Sequence, residues 1–370
     1  MSLSSVSSNR KLRAGVIGFG LSGRVFHAPF LSASPNYELS TIVERHTDEA
    51  QKIYPTVKIY RSTSELMNDP EIDLIVITTP NASHFPLAKE ALERGKHVIM
   101  EKPFTVSTDE ALELIQLVQK QQGKYVLYPY QNRRYDSGFR TIRQIIDQKL
   151  LGEEIVEMEI HFDRYRPQLK TSGSIWREQS GPGSGILYDL GSHLIDQALC
   201  LFGHPKTITA DVRKQRLNAQ SDDYFDIRLE YGEQRRLRVI LKASMFVREM
   251  GPRYQIHGTK GSFLKYGDDV QENELKSGRI PDINDRDWGK EPEHDWGLLH
   301  TEISDGQIIK EKYPTLNGDY GSFYEDLYQT IVHSQPLKIR VEDGYNIIRL
   351  IELAQQSSQE KRTIVCDKLL

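Results

Sequence analysis

Gly18-Phe19-Gly20-Leu21-Ser22-Gly23 follows directly on the apolar run 13–17 and precedes a helical pattern. Between a strand and a helix, glycines at this spacing allow a tight turn, close approach of the backbone to a pyrophosphate, and close packing of the helix. The free N–H groups at the start of such a helix also favour a bound anion. The stretch predicts a dinucleotide-binding turn formed by residues 18–23.

The residues around this turn alternate short apolar runs with helical patterns, which is typical of a parallel sheet with crossover helices. The runs are nearly continuous rather than alternating, as expected when both faces of a strand are buried. A helix should end at Gly95, and a Ser107–Glu110 capping box should begin another that runs to Gln122. The predicted strands are residues 13–17, 38–43, 72–78, 97–100 and 125–127.

After about residue 150 the apolar period changes to strict alternation, which indicates half-buried strands of an antiparallel sheet. Residues 268–296 are polar and predict a long surface excursion, before helices at 322–333 and 343–359. The alternating strands are predicted at residues 156–162, 225–231, 237–243, 254–256 and 262–265.

These patterns predict a Rossmann-type α/β domain over residues 11–130, after a loose N-terminal tail at 1–10. An α+β domain with an open, mostly antiparallel sheet follows over residues 131–370. The last helix of this second domain is expected to pack back on the first.

Charge and cysteine content limit the class of protein. The 370 residues carry a formal net charge of -4, and the basic residues are scattered. No nucleic-acid or membrane surface is therefore expected. The two cysteines, Cys200 and Cys366, have no paired spacing, and no apolar stretch approaches the roughly 20 residues of a membrane span. These features predict a cytoplasmic protein with no disulfide framework and no metal site.

Glu44 and Arg45 at the end of the second strand give opposite indications about the dinucleotide. A carboxylate at Glu44 would hydrogen-bond the ribose hydroxyls of NAD and repel a 2′-phosphate. Arg45 could instead pair with the 2′-phosphate of NADP. The position of Glu44 weakly favours NAD, and both cofactors stay open.

Two further motifs leave strand ends at the edge where open α/β sheets bind ligands. Thr79-Pro80-Asn81-Ala82-Ser83-His84 follows the 72–78 strand, and Glu101-Lys102-Pro103 follows the 97–100 strand. A lysine partly desolvated beside a nicotinamide would have its pKa lowered toward that of a general base. Lys102 is therefore a candidate base, with Glu101 to orient it; His84 is expected to bond locally more readily than to catalyse.

Asp189 and His193 are spaced i, i+4 in a segment with a helical apolar stripe, so they share one helical face. Asp196 lies near them. A carboxylate that orients an imidazole is a natural pair for proton transfer. A helix N-cap aspartate beside an unrelated histidine is the structural alternative.

The combined motifs at 18–23, 79–84, 101–103 and 189–193 resemble the glucose–fructose oxidoreductase / inositol dehydrogenase (Gfo/Idh/MocA) family, over nearly the whole chain. The runs 132–136, 162–167, 176–178 and 188–197 resemble its bacterial scyllo-inositol dehydrogenase-like branch. The resemblance implies a catalytic Lys102–Asp189–His193 set and a homodimer or homotetramer formed through the sheet of the second domain. Lys102 and His193 both stay open as the proximal base.

The implied reaction moves hydride between a nicotinamide and a hydroxyl carbon of a polyol or sugar, with scyllo-inositol the first candidate. An aldose 1-dehydrogenase and a non-catalytic sensor that binds NAD(P) and a sugar are the alternatives. A zinc-dependent dehydrogenase is disfavoured because no Cys/His cluster has metal spacing. Candidate substrate residues, besides Asp189 and His193, are Arg133, Arg134, Tyr165, Arg166, Trp176 and Arg177.

Overall fold

The computed structural model describes residues 10–173, 175–232, 236–282, 285–303 and 306–370, so most of the predicted tail lies outside the described residues. The chain forms two compact units. Unit 1 runs up to Asn132 and also takes in Gln271–Trp288 and Asp319–Tyr345. Unit 2 comprises Arg133–Val270, Gly289–Gly318 and Asn346–Leu370.

Unit 1 contains a six-stranded, fully parallel sheet in the order β3-β2-β1-β4-β5-β6. The order reverses between β1 and β4, which is where doubly wound sheets open a ligand crevice. The strands are β1 (Leu12–Ile17), β2 (Tyr37–Val43), β3 (Lys58–Tyr60), β4 (Leu74–Ile77), β5 (His97–Met100) and β6 (Leu127–Pro129).

The helices of unit 1 begin after a π-helical turn at Ser22–His27. Within the described residues, no helix of the chain combines the length and the apolar character needed to cross a membrane. The α-helices are α1 (Ala28–Ala33), α2 (Glu49–Ile53), α3 (Thr63–Asn68), α4 (His84–Glu93), α5 (Thr108–Lys120) and later α9 (Gly321–His333).

The predicted strands of the first domain are all present, and three differences stand out. β4 covers only Leu74–Ile77 of the predicted 72–78. β3 was missed because it has only three residues, none of them buried. β6 begins at Leu127 rather than at residue 125, because its pairing with β5 starts at Leu127 and Val98. At α5, Ser107 caps the helix as predicted by accepting from the Glu110 N–H at 3.3 Å, while the Glu110 carboxylate accepts from the Val106 N–H.

An aromatic cluster explains why the late segments belong to unit 1. The Phe30 ring is 4% exposed and stacks on Tyr324 at 5.3 Å between centroids. Trp288 and Tyr320 meet the same ring edge-on at 6.2 and 6.4 Å. Tyr37 adds a hydrogen bond of 2.7 Å from its hydroxyl to the Tyr324 carbonyl. The sequence placed residues 271–288 and 319–345 in the second domain, because periodicity does not reveal which core a segment joins.

Unit 2 contains a nine-stranded mixed sheet in the order β14-β13-β12-β11-β7-β10-β9-β8-β15. Only β7 and β10 pair in parallel; the other described pairs are antiparallel. The strands are β7 (Ile155–His161), β8 (Thr207–Arg213), β9 (Tyr224–Glu230), β10 (Arg238–Ser244), β11 (Tyr254–Gly258), β12 (Gly261–Lys265), β13 (Gly297–Glu302), β14 (Ile308–Tyr313) and β15 (Ile364–Val365).

One face of this sheet is buried, as the alternation predicted: Phe225, Ile227 and Leu229 of β9 are fully buried. Ser357 binds β8 through its hydroxyl, which accepts from the Ala210 N–H at 2.9 Å. The remaining helices are α6 (Ser137–Asp147) and α7 (Ser192–Phe202) in unit 2, α8 (Val270–Lys276), which belongs to unit 1 from Gln271 onward, and α10 (Val341–Glu360), whose first residues fall in unit 1.

The prediction of a surface excursion at 268–296 is wrong for several of its residues. Gln271 is fully buried, and its side-chain oxygen accepts from the Trp288 indole at 2.9 Å and from the Tyr320 N–H at 2.8 Å. In unit 2, the buried Glu291 pairs with Lys265 at 2.9 Å. Polar side chains that satisfy one another can be buried, and composition alone does not show such pairing.

Replacing Phe30 by alanine should lower the free energy of unfolding by about 3–5 kcal/mol, because the ring fills the centre of the aromatic cluster. Phe246→Ala is the matched control, since that ring is 44% exposed, and a change within about 0.5 kcal/mol is expected. Urea unfolding followed by circular dichroism measures both. Equal effects of the two substitutions would contradict this account of the cluster.

Candidate active site

The glycine turn lies at the carboxyl ends of β1 and β4. The Thr78 hydroxyl is 3.0 Å from both the Ile17 and the Gly18 carbonyl oxygens, which fixes the turn to the end of β4. Gly18 has a φ of +98°, which favours glycine. A Cβ at Gly23 would lie 2.3 Å from the Gly18 carbonyl oxygen, whereas a Cβ at Gly20 would meet nothing within 4 Å. Gly23 is required by packing, and Gly20 leaves open space, as a phosphate-binding turn requires.

The Glu101 carboxylate connects this turn to the end of β5. One of its oxygens accepts from the Ser22 hydroxyl and lies 3.1 Å from His27 Nε2. The other accepts from the Lys102 N–H at 2.9 Å. His27 is fully buried, and its Nδ1 lies 3.0 Å from the Tyr324 hydroxyl. We call these side chains, Ser22, His27, Glu101 and Tyr324, the Glu101 network.

Burial by itself would raise the pKa of Glu101. The hydrogen bond and charge of His27, the nearby Lys102 and the Ser22 hydroxyl act in the opposite direction and lower this pKa to about 2. The surroundings of Glu101 therefore favour its ionised form. A fixed negative charge at this position favours the cationic forms of neighbouring groups.

Lys102 lies at the carboxyl end of β5, partly exposed, and its peptide bond to Pro103 is cis. His84 is fully buried beneath this segment. Its Nδ1 lies 2.8 Å from the Pro103 carbonyl oxygen and its Nε2 lies 3.0 Å from that of Thr79. Burial lowers the pKa of His84. These contacts join the two strand-end loops, which is the local role that the sequence favoured for His84.

The remaining cofactor-site predictions lie on the same edge of the sheet. Phe19 packs edge-on against Tyr54 at 6.3 Å, and Leu21 is 48% exposed. Pro80 precedes a 3₁₀ turn at Asn81–Ser83, in which Asn81 is buried. This turn leads directly into α4, so Thr79 and Asn81 follow the end of β4 as predicted.

The Glu44 side chain is hydrogen-bonded at the start of α2. Its carboxylate is 6% exposed and accepts from the Thr47 hydroxyl at 2.6 Å and from the Ala50 N–H at 2.8 Å. A carboxylate at the start of α2 satisfies N–H groups that the helix leaves free. Contact of Glu44 with a ribose stays a prediction. Arg45 is exposed.

In unit 2, Asp189 and His193 lie on one uninterrupted helical stretch, a π-helical turn at Leu187–Gly191 followed by α7. Asp189 is half-buried, and its carboxylate lies 3.7 Å from Arg177 Nε. His193 is 5% exposed. The Arg177 guanidinium also lies over the Trp176 ring at 4.9 Å. The structure therefore brings together three predicted site residues, Trp176, Arg177 and Asp189.

Asp196, which lies near Asp189 and His193 in sequence, is paired with an arginine. Its carboxylate is 2% exposed and receives two N–H groups of Arg134, at 2.6 and 2.9 Å. Arg133 is also largely buried, pairs with Asp136 at 3.2 Å and lies over the Phe162 ring at 4.8 Å. Both arginines thus have structural contacts, and their contact with substrate stays a prediction.

Tyr165 and Arg166 lie on a short ladder that continues β7. The Arg166 N–H donates to the Met245 carbonyl at 2.8 Å, and Tyr165 bridges to Phe246. Tyr165 is 40% exposed and Arg248 lies over its ring at 3.9 Å. Both predicted residues are therefore accessible.

Each unit holds part of the predicted catalytic set: Lys102 in unit 1, and Asp189 with His193 in unit 2. Their combination stays a prediction. The sequence analysis missed His27 and Tyr324. A histidine on an apolar helix and a tyrosine in a late helix give no local signal, since only the folded unit places them next to Glu101.

Two family models match the chain in tandem. The oxidoreductase family's NAD-binding Rossmann fold matches residues 12–128, and its C-terminal alpha/beta domain matches residues 143–366. The chain belongs to the Gfo/Idh/MocA oxidoreductase family. The predicted family and the predicted fold class, a Rossmann domain followed by a domain with a mostly antiparallel sheet, are confirmed.

Relatives within the Gfo/Idh/MocA family match this chain over nearly its full length. The chain is 40% identical to scyllo-inositol 2-dehydrogenase (NADP(+)) IolW of Bacillus subtilis, over 96% of each chain. It is 41% identical to the uncharacterized oxidoreductase YdgJ of Escherichia coli, over 95% of this chain and 98% of YdgJ. A solved putative oxidoreductase from Bacteroides fragilis has 44% identity and a TM-score of 0.87, over 96% of this chain and all of that one.

Gly20→Ala should leave thermal stability unchanged and weaken dinucleotide binding at least tenfold, because its new Cβ enters the space the pyrophosphate needs. Gly23→Ala is the matched comparison. Its Cβ would press on a backbone oxygen, so a loss of about 1–3 kcal/mol in stability is expected. Calorimetric titration with NAD and NADP, together with melting curves, measures both. Dinucleotide binding of wild-type strength in Gly20→Ala would contradict this account of the turn.

Proposed function

We propose that this chain is an NAD(P)-dependent dehydrogenase that oxidises a secondary alcohol of a polyol, with scyllo-inositol as the first candidate. The observation that carries the proposal is the 40% identity to a scyllo-inositol 2-dehydrogenase over 96% of both chains. The likeness therefore includes both the dinucleotide-binding unit and the unit that carries Asp189 and His193.

The bound dinucleotide supplies the nicotinamide that accepts or donates hydride. This chain's residues 18–23 hold its pyrophosphate, and Glu101 fixes the turn relative to Lys102. Either the Lys102 amine or the His193 imidazole accepts the hydroxyl proton as hydride leaves the alcohol carbon, and Asp189 orients this pair. General-base catalysis of this kind contributes about 10²- to 10⁴-fold to the rate.

A hydroxyl-rich substrate suits the side chains around Asp189. Arg177 supplies N–H donors beside the Asp189 carboxylate, and Trp176 supplies an apolar ring beneath Arg177. Polyols present hydroxyl groups around a face of C–H bonds, so a mixture of charged and aromatic groups is the expected lining.

We propose further that NADP is preferred over NAD. The hydrogen bonds that Glu44 accepts from Thr47 and Ala50 offset part of its negative charge and so weaken its repulsion of a 2′-phosphate. The exposed Arg45 follows it, and a guanidinium binds phosphate through charge-assisted hydrogen bonds. The similarity to an NADP-linked relative agrees with this choice.

A homodimer or homotetramer formed through the outer face of the unit 2 sheet is also part of the proposal. The partly exposed or exposed side chains Glu157, Glu159, Asp226 and Arg228 alternate with the buried ones on β7 and β9. Self-association buries one such face against its copy, and sedimentation at several concentrations measures it.

Lys102→Ala should lower turnover of scyllo-inositol by two or more orders of magnitude, while dinucleotide affinity changes little. Lys120→Ala, an exposed lysine in the last turn of α5, is the control and should behave like wild type. Reduced-nicotinamide absorbance reports turnover, with myo-inositol, glucose, xylose and galactose tested in parallel. Near-normal turnover in Lys102→Ala would overturn the assignment. Dinucleotide binding without turnover of any substrate would favour the sensor.

Arg45→Ala should raise the KM for NADP by about 10- to 100-fold and change that for NAD less than threefold, because charge-assisted hydrogen bonds contribute about 1.5–3 kcal/mol each. Lys52→Ala on α2 is the control, since its amine is exposed and pairs with Glu49 at 2.5 Å. Steady-state rates with each dinucleotide give both constants. An equal effect of Arg45→Ala on NAD and NADP would contradict the proposed preference.

A further inference from the structure

The first turn of the helix that carries Asp189 and His193 is held by a residue outside the catalytic set. Asp222 lies before β9 and accepts hydrogen bonds from two successive N–H groups of this turn. Its carbonyl oxygen accepts from the Ile186 N–H at 3.0 Å, and its carboxylate accepts from the Leu187 N–H at 2.7 Å. The free N–H groups at the start of the helix thus find their acceptors on Asp222.

The glycine before this turn leaves room for the carboxylate. Gly185 has a φ of +87°, and a Cβ there would lie 2.1 Å from Asp222 Oδ1. The Gly185 N–H donates to the Arg177 carbonyl at 2.9 Å, and the Ser221 hydroxyl donates to the same oxygen at 3.2 Å. Residues 185–187 and 221–222 therefore fix the backbones of both Arg177 and the helix start.

We propose that Asp222 is a positioning residue for the Asp189–His193 helix, and that its ionisation controls how firmly this helix start is held. The proposal rests on the function proposed above. An ionised carboxylate accepts from the Leu187 N–H more strongly than a protonated one, because charge-assisted hydrogen bonds are roughly twice as strong as neutral ones. The helix start sets the direction of Asp189 within its first turn.

Asp222 combines a raised pKa with a position at the wall of a cavity. Burial raises the pKa of its carboxyl to about 6, the adjacent Asp223 adds to the rise, and the N–H groups of Leu187 and Ile186 oppose it. Asp222 also lines a cavity of about 430 Å³.

The charged and titratable groups around Asp222 are its chain neighbour Asp223 and three side chains that line the same cavity. Asp223 is fully buried and pairs with Arg216 at 2.9 Å. Arg213, which pairs with Asp211, lines the cavity together with Lys214 and Tyr188. Because the folded state raises the pKa of Asp222, protonation stabilises the fold below about pH 6 while it weakens the bond to Leu187.

The test compares Asp222→Asn with wild type in kcat and KM from pH 5 to pH 8.5. Protonation of the base lowers kcat at low pH in both proteins, so the ratio of their kcat values isolates the effect of Asp222. Wild type should have a kcat about three- to tenfold higher than Asp222→Asn at pH 8, and this ratio should fall toward one below about pH 6, with KM for the dinucleotide changed less than twofold. Asp211→Asn is the control and should keep the wild-type profile. A ratio of wild type to Asp222→Asn that is the same from pH 5 to pH 8.5 overturns the proposal.

A second measurement does not depend on turnover. Amide hydrogen exchange at residues 186–192 should be at least tenfold less protected in Asp222→Asn than in wild type, and Gly185→Ala should show the same change because its Cβ displaces the carboxylate. Unchanged protection in both variants overturns the positioning role. If wild type turns over no substrate while this protection changes as expected, the proposed function fails and the role of Asp222 in holding the helix stands.

Discussion

The Glu101 carboxylate accepts hydrogen bonds from three parts of unit 1, namely the glycine turn, the helix that follows it and the backbone of Lys102. Ser22 and His27 are close in sequence but distant from Glu101 and Lys102, and the two regions meet only because parallel strands bring their carboxyl ends to one edge. A buried carboxylate is costly unless it is paired and hydrogen-bonded. Its low pKa shows that the surrounding donors compensate this cost. The position of Lys102 relative to the turn thus depends on one buried charge.

A comparable arrangement holds the helical stretch of unit 2. Asp222 accepts the first N–H groups, and Asp196 anchors a later turn through Arg134. Asp189 lies between these two anchors and faces Arg177. Asp222 and Asp196 have no proposed role in the reaction, but they hold the helical stretch that carries Asp189 and His193. Site residues are commonly oriented by such surrounding hydrogen bonds.

Features that repeat along the chain could be predicted from the sequence. The apolar runs and the glycine turn predicted the parallel sheet of unit 1, and the alternation on β9 and β10 predicted the sheet of unit 2. Glu44 shows the limit: its position is typical of a ribose ligand, but the nearer N–H groups of α2 bind its carboxylate. The parallel pairing of β7 with β10 was likewise missed, because alternation fixes the buried face and leaves strand direction open.

The segments of unit 1 are synthesised at widely separated times. Phe30 and Tyr37 are made early, while Tyr320 and Tyr324, which cover them, lie in the segment Asp319–Tyr345. At about 5–20 residues per second, a ribosome needs on the order of 10–40 s to travel from the end of the first segment to this one. During that interval Phe30 and Tyr37 lack the aromatic rings that cover them in the folded unit. Unit 1 is thus the first to be started, but its core cannot be completed until most of the chain has been synthesised.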